Sequence, residues 1–130
     1  MISIINKEVK EKNGRYYLVI TLSESVNELW KASYQKALTT KVFTTLLSTG
    51  APTVDKVNFY GNVLETNSFP ICAMSDAKKF LEELSSFINI ANGIYQSELI
   101  LIKQKQEADK KKQEESARNL KSLNDFLNND

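Results

Sequence analysis

The sequence predicts an α+β fold in the order ββαββα, a small antiparallel or mixed sheet with helices on one face and a long, partly solvated C-terminal helix. Three observations predict it. An Asn13-Gly14 pair lies between two β-prone runs, a capping box precedes an apolar stripe at helical spacing, and apolar residues recur in columns seven apart from Phe80 to Ile102.

The first element is a hairpin. Ile2, Ile4 and Val9 stand before the charged stretch around Asn13-Gly14 and the run Tyr16 to Leu22 stands after it. Asn and Gly both tolerate the positive φ that a type I′ turn demands. Ser25-Val26-Asn27-Glu28 then matches a capping box, and Val26, Leu29, Trp30, Tyr34, Ala37, Leu38, Val42 and Leu46 keep three-four spacing up to Gly50-Ala51-Pro52. This predicts a helix over 26–48 with Trp30 and Leu38 in the core. β-Prone residues return from Val54 to Thr66, interrupted by Gly61-Asn62, which fits either a tight turn or a bulge. Past Asn67-Ser68-Phe69-Pro70, a second helix is expected to start near Ser75-Asp76, where a hydroxyl and an acid suit the positive helix end.

Phe80, Phe87, Ile94 and Leu101 form one column of that helix; Leu81, Ile88, Tyr95 and Ile102 form the next. One seam can cover the sheet. The second points toward another chain, which makes Phe80, Phe87, Ile94, Leu101 and Ile102 candidate oligomer contacts; the alternative is a helix wrapped by its own domain. Asn92-Gly93 permits helix interior, a break or a hairpin turn, and the spacing of Leu81, Leu84, Ile88 and Ala91 favours helix. From Lys103 the residues turn to Lys, Glu, Gln and Asp before a small stripe returns at Ala117, Leu120, Leu123 and Leu127. The expected organisation is a compact domain over 1–102 and a charged helical extension over 103–130.

Composition removes whole classes of chemistry. With no histidine and a lone Cys72, neither a soft-metal site nor a Ser-His or Cys-His nucleophile can be built, and no cofactor motif calls for a bound group. The S-x-x-K spacings at Ser33-Lys36 and Ser75-Lys78 lack the S-D-N and K-T-G elements that accompany them in acyl-transfer enzymes. The pairs Glu82-Glu83 and Glu114-Glu115 fit solvated helix faces, and Glu98 is marked only because it stands in an otherwise apolar column. These features predict a protein that is not an enzyme. A net charge of +1 supplies no bulk attraction for nucleic acid or an anionic membrane. Lys10, Lys12, Arg15, Tyr16 and Tyr17 mix cations with flat rings at the hairpin tip, but Glu8 and Glu11 share the turn, so nucleic acid is a weak third expectation. The longest aliphatic run, Leu99 to Ile102, is far too short to span a bilayer, and with no signal-like start the expected compartment is the cytoplasm.

The positive signal is a stripe without charge. Ser85, Ser86, Asn89, Asn92 and Gln96 share one side of the second helix, whereas water-facing helices usually carry Lys and Glu there; amides and hydroxyls cost less to desolvate. Ser86, Asn89, Asn92, Tyr95 and Gln96 are therefore the candidate binding residues, with Gly93 open to close approach. An Asn-rich composition would produce the same stripe with no function attached. The leading expectation is a homo-oligomer that binds and occupies a partner macromolecule, as accessory or inhibitor proteins of phages and mobile elements do. The alternative is a small polar ligand held between subunits by Asn89, Asn92, Tyr95 and Trp30.

Overall fold

Asn13 and Gly14 take φ of 55° and 77°, the left-handed pair that a type I′ turn needs, and join β1 (Ile4–Lys12) to β2 (Arg15–Leu22) by a two-residue loop. The computed structural model describes residues 1–41 and 50–129. β3 (Val57–Tyr60) and β4 (Val63–Thr66) form a second hairpin, so Gly61-Asn62 is a tight turn and not a bulge, with Gly61 at φ 60°. The strand order is β1-β2-β4-β3 and every pairing is antiparallel. β2 is central because Leu18, Ile20 and Leu22 alternate into the core, whereas β1 is an edge carrying Lys7, Glu8, Lys10, Glu11 and Lys12, charges that guard an open strand against further pairing. The Phe69 segment extends this sheet: Tyr16 N–H donates to the Phe69 carbonyl (2.9 Å) and Phe69 N–H returns the bond (2.7 Å).

Helix α1 is Glu28–Ala37, shorter at both ends than the pattern predicts. Its cap is Asn27, whose Oδ1 accepts from Trp30 N–H at 2.8 Å, and not Ser25. Val26 N–H is committed to the Gly61 carbonyl at 2.9 Å, which holds that backbone to the β3–β4 turn and out of the helix. At the other end the hydroxyls of Thr39 and Thr40 donate to the Lys36 and Ala37 carbonyls at 2.7 Å each. Such local bonds compete with helix continuation. Leu38 is the half-buried C-cap and not a core residue; Val42 and Leu46 lie outside the described residues.

A 3-10 turn, Ile71–Asp76, leads into α2, Ala77–Asn128. The α-helix thus starts just past the Ser75-Asp76 pair, after a turn the periodicity does not signal. α2 runs through Asn92-Gly93 without a break. The chain divides into two units, Met1–Tyr95 and Gln96–Asp130. In the first, one face of the sheet (Leu18, Ile20, Leu22, Leu64) is buried with Trp30 and Tyr34 of α1 and Phe80, Leu84 and Phe87 of α2. Trp30 stacks on Tyr34 at 5.7 Å, and Phe59 meets both rings edge-on at 5.8 and 5.3 Å. Phe80 and Phe87 are correspondingly removed from the candidate oligomer contacts: both are full members of their own core.

Tyr34 is fully buried and its hydroxyl donates to the Val54 carbonyl at 2.6 Å. Burial, reinforced by the Asp55 carboxylate, pushes its pKa above the ordinary tyrosine value. The unfolded chain loses this proton near pH 10 while the folded chain keeps it, so stability contributed by Tyr34 is complete below about pH 10 and declines above it. Tyrosinate absorbance in an alkaline titration is expected to show fewer than the chain's five tyrosines ionising in the native protein at a pH where all five ionise in denaturant.

Candidate functional site

The five polar binding candidates do not form one surface. Asn92 is buried, and its amide is used within its own unit: Oδ1 accepts from Ile2 N–H (3.1 Å) and Trp30 Nε1–H (3.0 Å), while Nδ2 donates to the Ile2 carbonyl (2.7 Å). One turn on, half-buried Tyr95 accepts at its hydroxyl from Asn27 Nδ2 at 3.0 Å. Both residues hold the start of α1 against α2. The sequence pattern missed this because an amide facing inward and one facing water share the same three-four spacing. Trp30, the fourth lining candidate for a small ligand, is equally committed, its ring in the aromatic cluster and its N–H on Asn92.

Three of the candidates remain accessible. Ser86 is half-buried and its Oγ accepts from Lys41 Nζ, whose ammonium also lies 5.1 Å from the Phe87 ring centre. Asn89 is exposed in the first unit, and Gln96 is exposed in the second. Gly93, exposed beside Asn89, is open: a Cβ built there meets nothing within 4 Å. The glycine is not required by any contact among the described residues.

The hairpin tip is also engaged. Arg15 donates from Nε to Ser68 Oγ (3.2 Å) and from Nη2 to the Ser68 carbonyl (3.0 Å), tying the turn to the segment before Phe69. The shallow groove beside it includes Tyr17 and Lys12 but also Glu65, so it is not a cationic track for a phosphate chain. Of the serines in S-x-x-K spacing, Ser33 is buried with its hydroxyl donating to the Leu29 carbonyl at 3.0 Å, and Ser75 is exposed. Among the described residues no group of three or more cysteine or acidic side chains is placed to hold a metal, and no helix is long and apolar enough to cross a membrane.

The outstanding surface is apolar and lies in the second unit. The last buried residue of α2 is Asn92. Beyond Tyr95 stand Leu99, Ile100, Leu101 and Ile102, 38 to 59% exposed, and then Leu120, Leu123, Phe126 and Leu127, 62 to 80% exposed. Of the remaining candidate oligomer contacts, Ile94 packs half-buried on the core of the first unit, whereas Leu101 and Ile102 belong to this exposed set. Phe126 has the largest apolar side chain of the set, and the sequence pattern does not single it out because it falls beside the Leu120-Leu123-Leu127 spacing and not on it. No family model, curated protein or solved structure matches the chain.

Two outcomes follow from the placement of the amides. Asn92→Ala leaves Ile2 N–H and Trp30 Nε1–H without an acceptor and is expected to cost about 2 to 4 kcal/mol in denaturant unfolding, whereas Asn89→Lys leaves the midpoint unchanged. Gly93→Ala is expected to stabilise the helix by about 1 kcal/mol, since the added methyl meets open space; a loss of stability in the isolated protein would show a contact at Gly93 that this fold lacks.

Proposed function

We propose that the protein is a non-enzymatic binding protein that assembles as a homo-oligomer and acts by occupying a partner macromolecule. The observation that carries this reading is the second unit, where eight large apolar side chains between Leu99 and Leu127 lie on the part of α2 beyond its last buried residue, Asn92. Soluble chains rarely leave such surface open, because each large aliphatic group contributes about 1.5 to 3 kcal/mol when it is removed from water. A small-ligand pocket built on Asn92 and Trp30 has less support, since both groups already satisfy each other. The free, exposed Cys72 suits a reducing compartment, and the cytoplasm is the proposed location.

The test is the mass of the full chain by light scattering at micromolar concentration. An assembly is expected, and Leu123→Glu with Phe126→Glu is expected to reduce it to the 14.8 kDa chain with the thermal midpoint of the first unit unchanged. A monomer in the unmodified protein would remove the proposal.

A further inference from the structure

Strand β1 bonds to β2 on one side only, and the hydrogen bonds of β2 show which β1 groups face the open edge. Opposite residues of an antiparallel pair either exchange both bonds or turn these groups away from each other. Tyr16, opposite Glu11, gives its N–H and carbonyl to Phe69, and Leu18, opposite Val9, gives its N–H to Thr66 Oγ1 at 2.9 Å. Glu11, Val9 and, by the same alternation, Lys7 therefore aim their N–H and carbonyl groups at the open edge. Every residue from Ile5 to Lys12 is exposed.

The charges on β1 guard this edge against most pairings and admit one. Among the described residues, no ion pair or side-chain hydrogen bond engages Lys7, Glu8, Lys10 or Glu11. Two copies joined at an antiparallel edge are related by a half turn about an axis normal to the sheet, so each residue pairs with the one equally far beyond the centre. Centred on Lys7, Lys10 or Lys12, the pairing sets lysine on lysine; centred on Glu8 or Glu11, it sets glutamate on glutamate. Like charges directly opposite are destabilising. Centred on Asn6, the pairing runs into the irregularity between Ile4 and Asn6. With Val9 on Val9, Lys7 meets Glu11 and Glu8 meets Lys10, so all four charges face an opposite charge. The outward backbone groups coincide in the same register, Val9 exchanging both bonds with Val9 and Lys7 with Glu11. Two copies side by side in parallel about a two-fold axis would instead put each charge on its own counterpart.

We infer that β1 pairs antiparallel with β1 of a second copy, centred on Val9, joining two four-stranded sheets edge to edge. The inference adds a second self-contact to the homo-oligomeric reading above and is argued from the first unit alone. Water already satisfies the backbone groups and charges of the free edge, so the net gain of pairing only offsets the freedom that two chains lose. The edge therefore closes at high chain concentration, or where another contact holds two copies together, and by itself leaves the chain monomeric at micromolar concentration.

An equal mixture of unlabelled and heavy-isotope-labelled full chain at millimolar concentration tests it by zero-length carbodiimide coupling. The expected product joins Lys7 to Glu11 with one peptide light and the other heavy. Along one strand these residues stand about 13 Å apart, and the mixed label marks the link as one between copies. Glu8→Lys and Lys10→Glu, both at exposed positions, each set like charges opposite one another and are expected to lower the mixed-label yield about tenfold. Combining the two changes in one chain, or mixing the two single variants, brings opposite charges together again and is expected to restore the yield. Absence of the mixed-label link, a yield that charge reversal leaves unchanged, or a loss that neither combination restores overturns the edge pairing. The second-unit contact is decided separately by mass at micromolar concentration: a monomer there overturns the homo-oligomeric reading and leaves the edge pairing to the coupling result.

Discussion

A carboxamide buried without partners costs roughly 1 to 3 kcal/mol, and the Met1–Tyr95 unit is arranged so that Asn92 escapes most of that cost. Its two bonds to Ile2 reproduce the donor–acceptor pair that a neighbouring strand would offer, and its third holds the Trp30 indole. Three segments distant in sequence, the chain start, α1 and α2, therefore meet at one side chain. The geometry around it follows. Trp30 is set so that it stacks on Tyr34 and receives Phe59 edge-on, which brings β3 to α1; Asn27 is turned so that one amide atom caps α1 and the other reaches Tyr95. Such a network is strong when complete and fragile when any member is lost, because the remaining groups are left buried and unpaired.

That clamp also explains what the sequence could and could not disclose. Asn13-Gly14 and the alternation Leu18, Ile20, Leu22 are local signals whose physics is complete within a few residues, and the first hairpin is legible for that reason. The α+β class and the long final helix follow from periodicity alone. The helix ends are different. Whether Ser25 or Asn27 caps α1 depends on Val26 being bonded to Gly61, a partner thirty-five positions away that no local rule sees. The role of Asn92 is illegible in the sequence for the same reason, since only the tertiary fold tells an inward amide from an outward one. The spacing of Phe80 and Phe87 fits either a contact with another chain or a helix wrapped by its own domain, and the Phe69 segment and both helices close a core that takes them in.

The two units treat apolar residues in opposite ways. Among the described residues of Met1–Tyr95 the large aliphatic and aromatic groups largely alternate with polar ones in step with the sheet or helix period, and most are buried or half-buried. In Gln96–Asp130 the periodicity is as regular and no such residue is inside. Helix propensity can sustain the charged middle, which is rich in Lys, Glu, Gln and Ala, but propensity gives no reason for the spacing of Leu99, Ile102, Leu120, Leu123 and Leu127. The homo-oligomeric reading proposed above gives that spacing a reason.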